Sequence, residues 1–495
     1  MHPHAPLYSL AFPLASQYPG ASTSGVFTAV RESRHTTEPR PWSERHLQCV
    51  WFDPAFRPAS LQTQTGEPVV VETPGEWNLE AGPDFVNASL LVGSGPAARR
   101  LLGDVEIHVR PSDWQHHGHA GDPRYRRVIA HVTWWPGAAT GLPKSAVSIA
   151  LGDALRHNRA FSFELVDVTE YPWPARAPRP PCADGFSRLT PEEIVAFLES
   201  AGEYRLQLKT ARFQADTDHR DPHQTLYEEL FAALGYKHNR MPFRRLAQQV
   251  PLQTLRQYAG HDPIRGYALL AGVSGLLPNR LNTWWDDETR TFLRRVWKLW
   301  WKLADAWAGH VMNRSEWRLA GVRPLNHPLR RLMAAARLFC SPGSLTDRLL
   351  ERVNPESPTF LDNLTHLFSS LPEDPYWSWH QGLGGKRTAH PVALIGPDRA
   401  AAMAINVAIP FLAACNHLPP AARDLLRTLP PEADHRILRT TAHLLFGRDH
   451  SPQLYPTALA RQGLVQIFQD FCLQDRTRCQ SCPLPRLLAY PTASS

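Results

Sequence analysis

The sequence lacks a run of roughly 18 consecutive apolar residues, the length that a membrane-spanning helix needs. Residues 1–40 are rich in Pro, Ser, His and Thr and lack a charged start followed by a long apolar segment, so we expect no signal peptide. Cysteine is scarce, with 7 residues in 495, and three of them cluster near the C-terminus. This usage fits a reducing compartment better than a disulfide framework. The sequence therefore predicts a cytoplasmic protein without a membrane partner.

Hydrophobic residues make up 43% of the chain, which supports well-packed cores. The length exceeds the limit of about 250 to 300 residues for a single core, so we expect two or three domains. The formal net charge is +7 and the sequence pI is about 9.1. An excess of basic residues is compatible with a nucleic-acid partner, although consecutive charged residues usually form solvent-exposed faces.

Composition changes divide the chain into five parts. Residues 1–40 are predicted to be disordered, and 41–172 carry the strong strand signals of an α/β core. The Pro-rich segment 173–188 is predicted to be a stiff linker, because proline lacks the backbone N–H that helices and central strands use. Helical signals run through 189–470, and 471–495 form a cysteine-containing tail. The predicted fold class is α/β plus α, with a mainly helical C-terminal region.

Two helix signals stand out in the second half of the chain. Thr190-Pro191-Glu192-Glu193 combines an N-cap, a proline at the first helical position and a capping-box Glu. Asp286 to Val311 is the longest helical pattern, with Leu293, Trp297 and Trp300 at helical spacing. We interpret this stripe as core packing in preference to a platform for stacking bases.

Acidic residues occur in two neighbouring strand signals. Asp84 opens the first, and Leu101 to Val109 forms the second, which contains Glu106 and His108 on one face. The residues between the strands, 93–100, are turn formers, so we expect a hairpin. Pairing would bring Asp84 and Glu106 to one end of a sheet, and two carboxylates there suit Mg²⁺ or Mn²⁺.

The order of these elements resembles the PD-(D/E)xK nuclease superfamily. Its core runs helix with an acid, strand, strand with Asp, strand with Glu-x-Lys, helix, strand. Here the matching elements are a possible helix Ser43 to Phe52, which carries Glu44; a strand at Pro68 to Glu72; the strand that Asp84 opens; and the strand with Glu106-Ile107-His108. A helix start at Ser112-Asp113-Trp114 and a fourth strand at Arg127 to Trp135 complete the order.

That resemblance implies a restriction-endonuclease-like mixed-sheet core and a divalent-metal-dependent nuclease acting on DNA or RNA. It implies that Asp84 and Glu106 hold Mg²⁺ or Mn²⁺ and that Glu44 completes the acid set. The chain departs from the superfamily at His108, where lysine is usual; a histidine can orient or deprotonate a water but is not permanently charged. The alternative is a nucleic-acid-binding or scaffolding protein of the same fold without turnover.

The chain also resembles the bacterial proteins catalogued as domain of unknown function 2851. The resemblance rests on short motifs spread over most of the chain, among them Trp77-Asn78, Gly82-Pro83-Asp84-Phe85, Gly103-Asp104-Val105-Glu106-Ile107-His108, Ser112-Asp113-Trp114, His117-Gly118-His119 and Cys479-Gln480-Ser481-Cys482-Pro483. This family label carries no activity.

Histidines provide a third hypothesis, a zinc hydrolase. His116, His117 and His119 follow the Glu-x-His strand, and His131 lies on the next strand. Three histidines can hold a catalytic zinc. The competing interpretation is that they are surface or hydrogen-bonding side chains near the cleft.

The last three cysteines form a C-x6-C-x2-C pattern of Cys472, Cys479 and Cys482. The spacing resembles the start of the cluster-binding loop of helix-hairpin-helix DNA glycosylases, but residue 488 is Leu where a fourth cysteine should follow. Three thiolates need a fourth ligand, such as Cys340, Cys415 or a histidine, to hold zinc or an iron-sulfur cluster. The alternative is a cysteine cluster that binds no metal.

A basic stretch near the middle of the chain comprises Lys237, Arg240, Arg244 and Arg245. The first three are candidate nucleic-acid contacts. A solvated helix face is the competing interpretation of the same pattern.

Overall fold

The chain folds into two compact units, Met1–Tyr204 with Asp434–Ser495, and Arg205–Ala433. The computed structural model describes residues 42–78, 82–168, 171–172, 180–236, 238–320, 322–343, 345–352, 357, 359–418, 436–447, 449–472, 479 and 482–488. The prediction of disorder for residues 1–40 lies outside these ranges. Within the described part of the chain, no helix is long and apolar enough to cross a membrane.

A mixed sheet is the centre of the first unit. Its seven described strands are β1 (Leu61–Gln62), β2 (Pro68–Thr73), β3 (Glu76–Trp77), β4 (Phe85–Val92), β5 (Arg99–His108), β6 (Val128–Thr133) and β7 (Val147–Ala150). The order across the sheet is β1-β2-β4-β5-β6-β7, and β3 pairs with β4. Strands β1 to β5 pair antiparallel, whereas β5, β6 and β7 pair parallel. The predicted combination of a mixed sheet with a following helical region is confirmed.

The hairpin of β4 and β5 forms as the sequence predicts. Phe85, Ala88, Leu90 and Val92 of β4 are buried, which matches the alternation of apolar residues along the strand. A register shift between Phe85 and Ala88 interrupts the pairing with β5, and Asn87 in this bulge has φ 57°.

The antiparallel hairpin leads into a parallel crossover from β5 to β6. At its start, Gly103 leaves room for the neighbouring chain: a Cβ there would lie 2.4 Å from the Arg127 carbonyl oxygen, which accepts a hydrogen bond from Asp104 N–H at 2.9 Å. Val105 and Ile107 of β5 are fully buried, as are Val128 and Ala130. Successive residues of a strand point to opposite faces, so Glu106 and His108 lie on the face opposite these β5 valine and isoleucine side chains.

The predicted first helix is confirmed as α1 (Glu44–Phe52), and it packs against β5. Ser43 precedes it, and the Ser43 backbone N–H donates to Nδ1 of His46 at 3.0 Å. His46 therefore occupies the place that Glu or Gln takes in a capping box.

Short and long helices complete the first unit. They are α2 (Asp113–His116), α3 (Gly152–His157), α4 (Pro181–Phe186), the first part of α5 (Pro191–Thr217), α16 (Arg436–Phe446), α17 (Ala458–Ile467) and α18 (Leu484–Leu488). From Arg205 onward α5 belongs to the second unit. The capping box predicted at Thr190 is confirmed, since its N–H donates to Glu193 Oε2 at 2.8 Å and its Oγ1 accepts from Glu193 N–H at 3.2 Å.

Helix α4 lies inside the segment predicted to be a Pro-rich linker. Pro181 is its first residue, where a missing N–H removes no helical hydrogen bond, so the prolines end just where a helix can begin. The apolar side chains of α4, α5, α16, α17 and α18 share one core, with Phe186, Leu198, Leu438, Leu464 and Leu484 among its members. This shared core groups residues 434–495 with the first unit, so the boundary of the units cuts across the segment 189–470.

The second unit is helical in its described part. Its helices are α6 (Pro222–Leu234), α7 (Arg240–Gln249), α8 (Leu252–Ala259), α9 (Pro263–Val273), α10 (Asp287–Trp300), α11 (Pro328–Phe339), α12 (Leu345–Arg352), α13 (Phe360–Ser369), α14 (Pro397–Met403) and α15 (Ile409–Ala414), and a π-helical turn (Ala404–Ala408) joins the last two.

The prediction of a helix from Asp286 to Val311 is wrong at its C-terminal end, because α10 ends at Trp300. After Trp300 the chain continues in turns, where Leu303 N–H reaches back only three residues to the Trp300 carbonyl. The interpretation of these apolar residues as core packing is confirmed for Leu293 and Trp297 of α10, which are buried.

Candidate metal centre

Adjacent parallel strands bring three polar side chains to one face of the sheet. Glu106 of β5 is the register partner of His131 of β6, and His108 follows two positions later on β5. These side chains are all buried, with His108 fully so. Burial of ionisable groups is costly unless they are paired or bind a metal, so the cluster needs a chemical explanation.

The connection between β5 and β6 adds two histidines to this cluster. After α2, Gly118 adopts a left-handed conformation with φ 76°, which turns the chain and places His117 and His119 on either side of it. The His119 ring stacks on Tyr125 at a centroid distance of 3.9 Å. His119 is buried, and His117 is exposed.

Three imidazole donors converge in this cluster, and the carboxylate of Glu106 lies beside two of them. Glu106 Oε1 lies 3.3 Å from His108 Nε2 and 3.1 Å from His119 Nε2. His117 Nδ1 lies 3.1 Å from His108 Nε2. The donor atoms of the three histidines all lie within 4.8 Å of one another. Ligands on a tetrahedral ion with bonds of about 2.0 Å are about 3.3 Å apart, so these separations suit the edges of a zinc coordination shell.

The second nitrogen of His108 is held by a neighbour. His108 Nδ1 lies 2.8 Å from His131 Nε2, which leaves His108 Nε2 pointing into the cluster. Burial, followed by the charge of His117, lowers the pKa of His108 to about 3. Burial, followed by the charge of His108, lowers the pKa of His131 to about 3. Both imidazoles are therefore neutral at pH 7, the form that binds metal ions.

His119 supplies a further sign that the donor set fits a metal ion. Its Nε2 is buried and lies 3.1 Å from Glu106 Oε1, so the imidazole nitrogen and the carboxylate oxygen face each other at about the distance of two ligands on one ion. Imidazole nitrogens with one carboxylate suit zinc better than Mg²⁺, which prefers all-oxygen shells.

The structure brings Asp84 and Glu106 together. Asp84 N–H donates to Glu106 Oε2 at 3.0 Å, and Ile107 N–H donates to Asp84 Oδ2 at 2.9 Å. Asp84 Oδ1 accepts from Gln48 Nε2 at 2.8 Å. Each Asp84 oxygen thus has a hydrogen-bond donor, while Glu106 Oε1 faces the histidines.

Gln48 is a site residue that the sequence reasoning missed. Helix α1 meets Asp84 through Gln48, which lies four residues, about one turn, after the predicted acid Glu44 and so on the same side of the helix. The signal in the sequence was helical spacing from Glu44. Glu44 itself lies half-buried in the first turn of α1.

Other candidate residues lie elsewhere. His116 is exposed, with its Nδ1 3.7 Å from Asp113 Oδ1. Lys237 lies outside the described residues, and Arg240 is half-buried at the start of α7.

Arg244 is neither a solvated residue nor a surface cation. It is buried in the second unit, with Nη1 3.2 Å from Glu229 Oε1 and Nε 3.9 Å from Glu228 Oε2. Its charge is neutralised inside the fold. Arg245, next to it, is exposed and lies 2.5 Å from Glu316 Oε2.

Comparison with known proteins returns one family. The sequence matches the family described as "protein of unknown function (DUF2851)" over residues 44–435, which include the whole histidine cluster. No curated protein and no solved structure gives a significant match.

Proposed function

The chain belongs to the DUF2851 family, and we propose that its first unit is a divalent-metal-dependent hydrolase of phosphodiester bonds, a nuclease acting on DNA or RNA. The observation that carries the proposal is the cluster of His108, His117 and His119, whose donor atoms all lie within 4.8 Å of one another, with Glu106 Oε1 3.1 to 3.3 Å from two of them. In this proposal the three histidines hold the metal, and Glu106 lies beside the fourth position, which a catalytic zinc site keeps open for water or substrate. The two acids predicted from the sequence then have different roles: Glu106 faces the histidines, and Asp84 holds Glu106 in position.

Each residue has a distinct part in this proposal. A bound divalent ion supplies a Lewis acid that polarises a phosphoryl oxygen and stabilises its developing charge. Asp84 uses its backbone N–H to hold Glu106, and His131 holds the ring of His108. His117 is the exposed member of the set, so substrate reaches the cluster from its side.

Two observations support a phosphodiester as the substrate. The described elements run α1, β2, β4, β5, a connection with α2, and β6 parallel to β5, an order that resembles the PD-(D/E)xK core and favours a restriction-endonuclease-like fold. The chain also carries a net charge of +7, which attracts a polyanion. His108 stands where that superfamily has lysine, and in this proposal it is a metal ligand instead of a base.

A second candidate is a nucleic-acid-binding or scaffolding protein without turnover. The observation that favours it is that Glu106 lies next to the three histidines: as a fourth protein ligand it would close a tetrahedral shell, as in structural zinc sites, whereas catalytic sites keep that position open. In that case the ion would stabilise the fold and cut nothing.

The adjacent residues His116 and His117 provide a matched pair of variants. Full-length wild type, His117→Ala and His116→Ala are assayed for bound zinc and for cleavage of single-stranded DNA, double-stranded DNA and RNA. We expect His117→Ala to lose about one equivalent of metal and the cleavage, because one site takes one ion, and His116→Ala to match wild type. Unchanged metal content in His117→Ala would refute the centre. Metal that depends on His117 without cleavage of any substrate would favour the second candidate.

A further inference from the structure

The first unit contains a buried cysteine, Cys182. It is the second residue of α4 and is buried in the apolar core that α4 shares with the C-terminal helix α18. No motif in the sequence connects it with the three C-terminal cysteines, the first of which lies 290 residues further along the chain.

Helices α4 and α18 are in close contact. A Cβ added at Gly185 of α4 would lie 2.8 Å from Leu488 Cδ1 of α18, so glycine is what allows this approach. Leu484 and Leu487, also in α18, belong to the same buried core as Cys182. The tail therefore returns to the segment that contains Cys182.

Two segments carry the cysteines of the tail, one just before α18 and one just after α17. Cys482 lies two residues before α18 and packs against the core that contains Cys182. Cys482 N–H donates to the Cys479 carbonyl at 3.4 Å, so these two residues lie close together. Cys472 ends the π-helical turn Phe468–Cys472 after α17, and Phe471 beside it packs against the same core.

Electrostatics agree with this placement. Burial raises the pKa of the Cys182 thiol to about 12, and the next contributions come from Cys482 and Cys479. The thiol of Cys182 thus lies within interaction range of both residues.

We propose that Cys182 is the fourth ligand of a metal centre formed with Cys472, Cys479 and Cys482. Four thiolates make a closed site for Zn²⁺ or an iron-sulfur cluster. Cys182 belongs to the same compact unit as the tail, whereas Cys340 and Cys415 belong to the second unit. Such a centre would fasten the C-terminal tail to the start of α4, and it is independent of the histidine cluster.

Cysteine variants of the full chain test this assignment. Wild type, Cys182→Ser, Cys479→Ser and Cys340→Ser are purified without air, and zinc, iron and visible absorbance are measured. Cys340 is the control because it is likewise a buried cysteine. We expect Cys182→Ser and Cys479→Ser to lose the same metal, and Cys340→Ser to keep the wild-type content. Iron with visible absorbance would identify a cluster, and zinc without it a mononuclear site. Wild-type metal content in Cys182→Ser would overturn the proposal, as would a wild-type protein whose metal content does not depend on Cys479.

A second measurement applies if Cys182→Ser does not fold. Wild type is treated with a chelator and then with iodoacetamide under native conditions, and labelled peptides are mapped by mass spectrometry. Metal loss should release the tail and expose Cys182 together with Cys472, Cys479 and Cys482, while Cys340 stays protected. Release of the three tail thiols without Cys182 would overturn the assignment.

Discussion

His108 and His131 lie side by side on the parallel strands β5 and β6, with Nδ1 of His108 2.8 Å from Nε2 of His131. This contact orients the other nitrogen of His108 toward Glu106 and His117. Partners of this kind fix the ring orientation of metal-ligating histidines.

Removing His131 should therefore weaken metal binding without removing a ligand. We expect His131→Ala to lower zinc affinity by roughly 10- to 100-fold, the usual effect of losing such a partner. His380→Ala is the control, because His380 is equally buried but lies in the second unit. Titration with zinc against a competing chelator measures both. Equal affinities for the two variants would contradict the positioning role.

Gln48 should stabilise the folded site through its hydrogen bond to Asp84. Gln48→Leu leaves the buried Asp84 Oδ1 without this donor, and we expect a loss of about 1 to 3 kcal/mol in the free energy of unfolding. Gln62→Leu, at an exposed position of β1, should change stability by less than about 0.5 kcal/mol. Denaturant unfolding measures both, and a neutral Gln48→Leu would refute the role.

Arg244 and Arg245 are neighbours with opposite environments. Removing Arg244 leaves Glu229 paired with Arg212 and Glu228 paired with Arg220, so we expect Arg244→Ala to cost about 1.5 to 3 kcal/mol, the range for a lost hydrogen bond to a charged group. Arg245→Ala breaks only an exposed pair with Glu316 and should cost less than about 1 kcal/mol. Chemical denaturation distinguishes them. Similar losses from the two variants would show that Arg244 is not a buried ion-pair residue.

His46 should make stability depend on pH. Burial, the largest contribution, lowers its pKa from 6.5 to about 4, and its Nδ1 accepts the Ser43 N–H only when unprotonated. Between pH 6.5 and about pH 4 the unfolded chain binds more protons than the folded one, because His46 is protonated only when unfolded. The free energy of unfolding therefore falls as the pH drops through this range. His46→Gln keeps an acceptor that does not titrate.

We therefore expect a shallower decline of stability with falling pH in His46→Gln than in wild type. Denaturant unfolding at several pH values measures the slope. His108 and His131 also have lowered pKa values, so some decline remains. Identical slopes for wild type and variant would rule out the titration of His46.

Local patterns predicted much of the first unit. The alternation in β4, the turn residues after it and the capping box at Thr190 each specify structure over a few residues, and all three form as predicted. Asp84 immediately precedes β4 and Glu106 lies in β5, and these strands are close in sequence and form a hairpin, so the contact between these two residues is also predictable.

Features that depend on distant contacts were not predictable in the same way. The histidine hypothesis grouped His116, His117 and His119 with His131, whereas the structure groups His117 and His119 with His108; the left-handed turn at Gly118, on which this depends, has no periodic signal. The docking of α18 on α4 joins segments that are far apart in sequence, and no local pattern specifies which helices share a core.

The most direct test of the metal centre is an anomalous difference map, recorded at the zinc edge, from crystals of the zinc-loaded protein. We expect a peak among His108 Nε2, His117 Nδ1 and His119 Nε2, beside Glu106 Oε1, with nitrogen–metal distances of about 2.0 to 2.1 Å. A map that shows no peak between these three nitrogens, from crystals soaked in zinc, would contradict the metal centre.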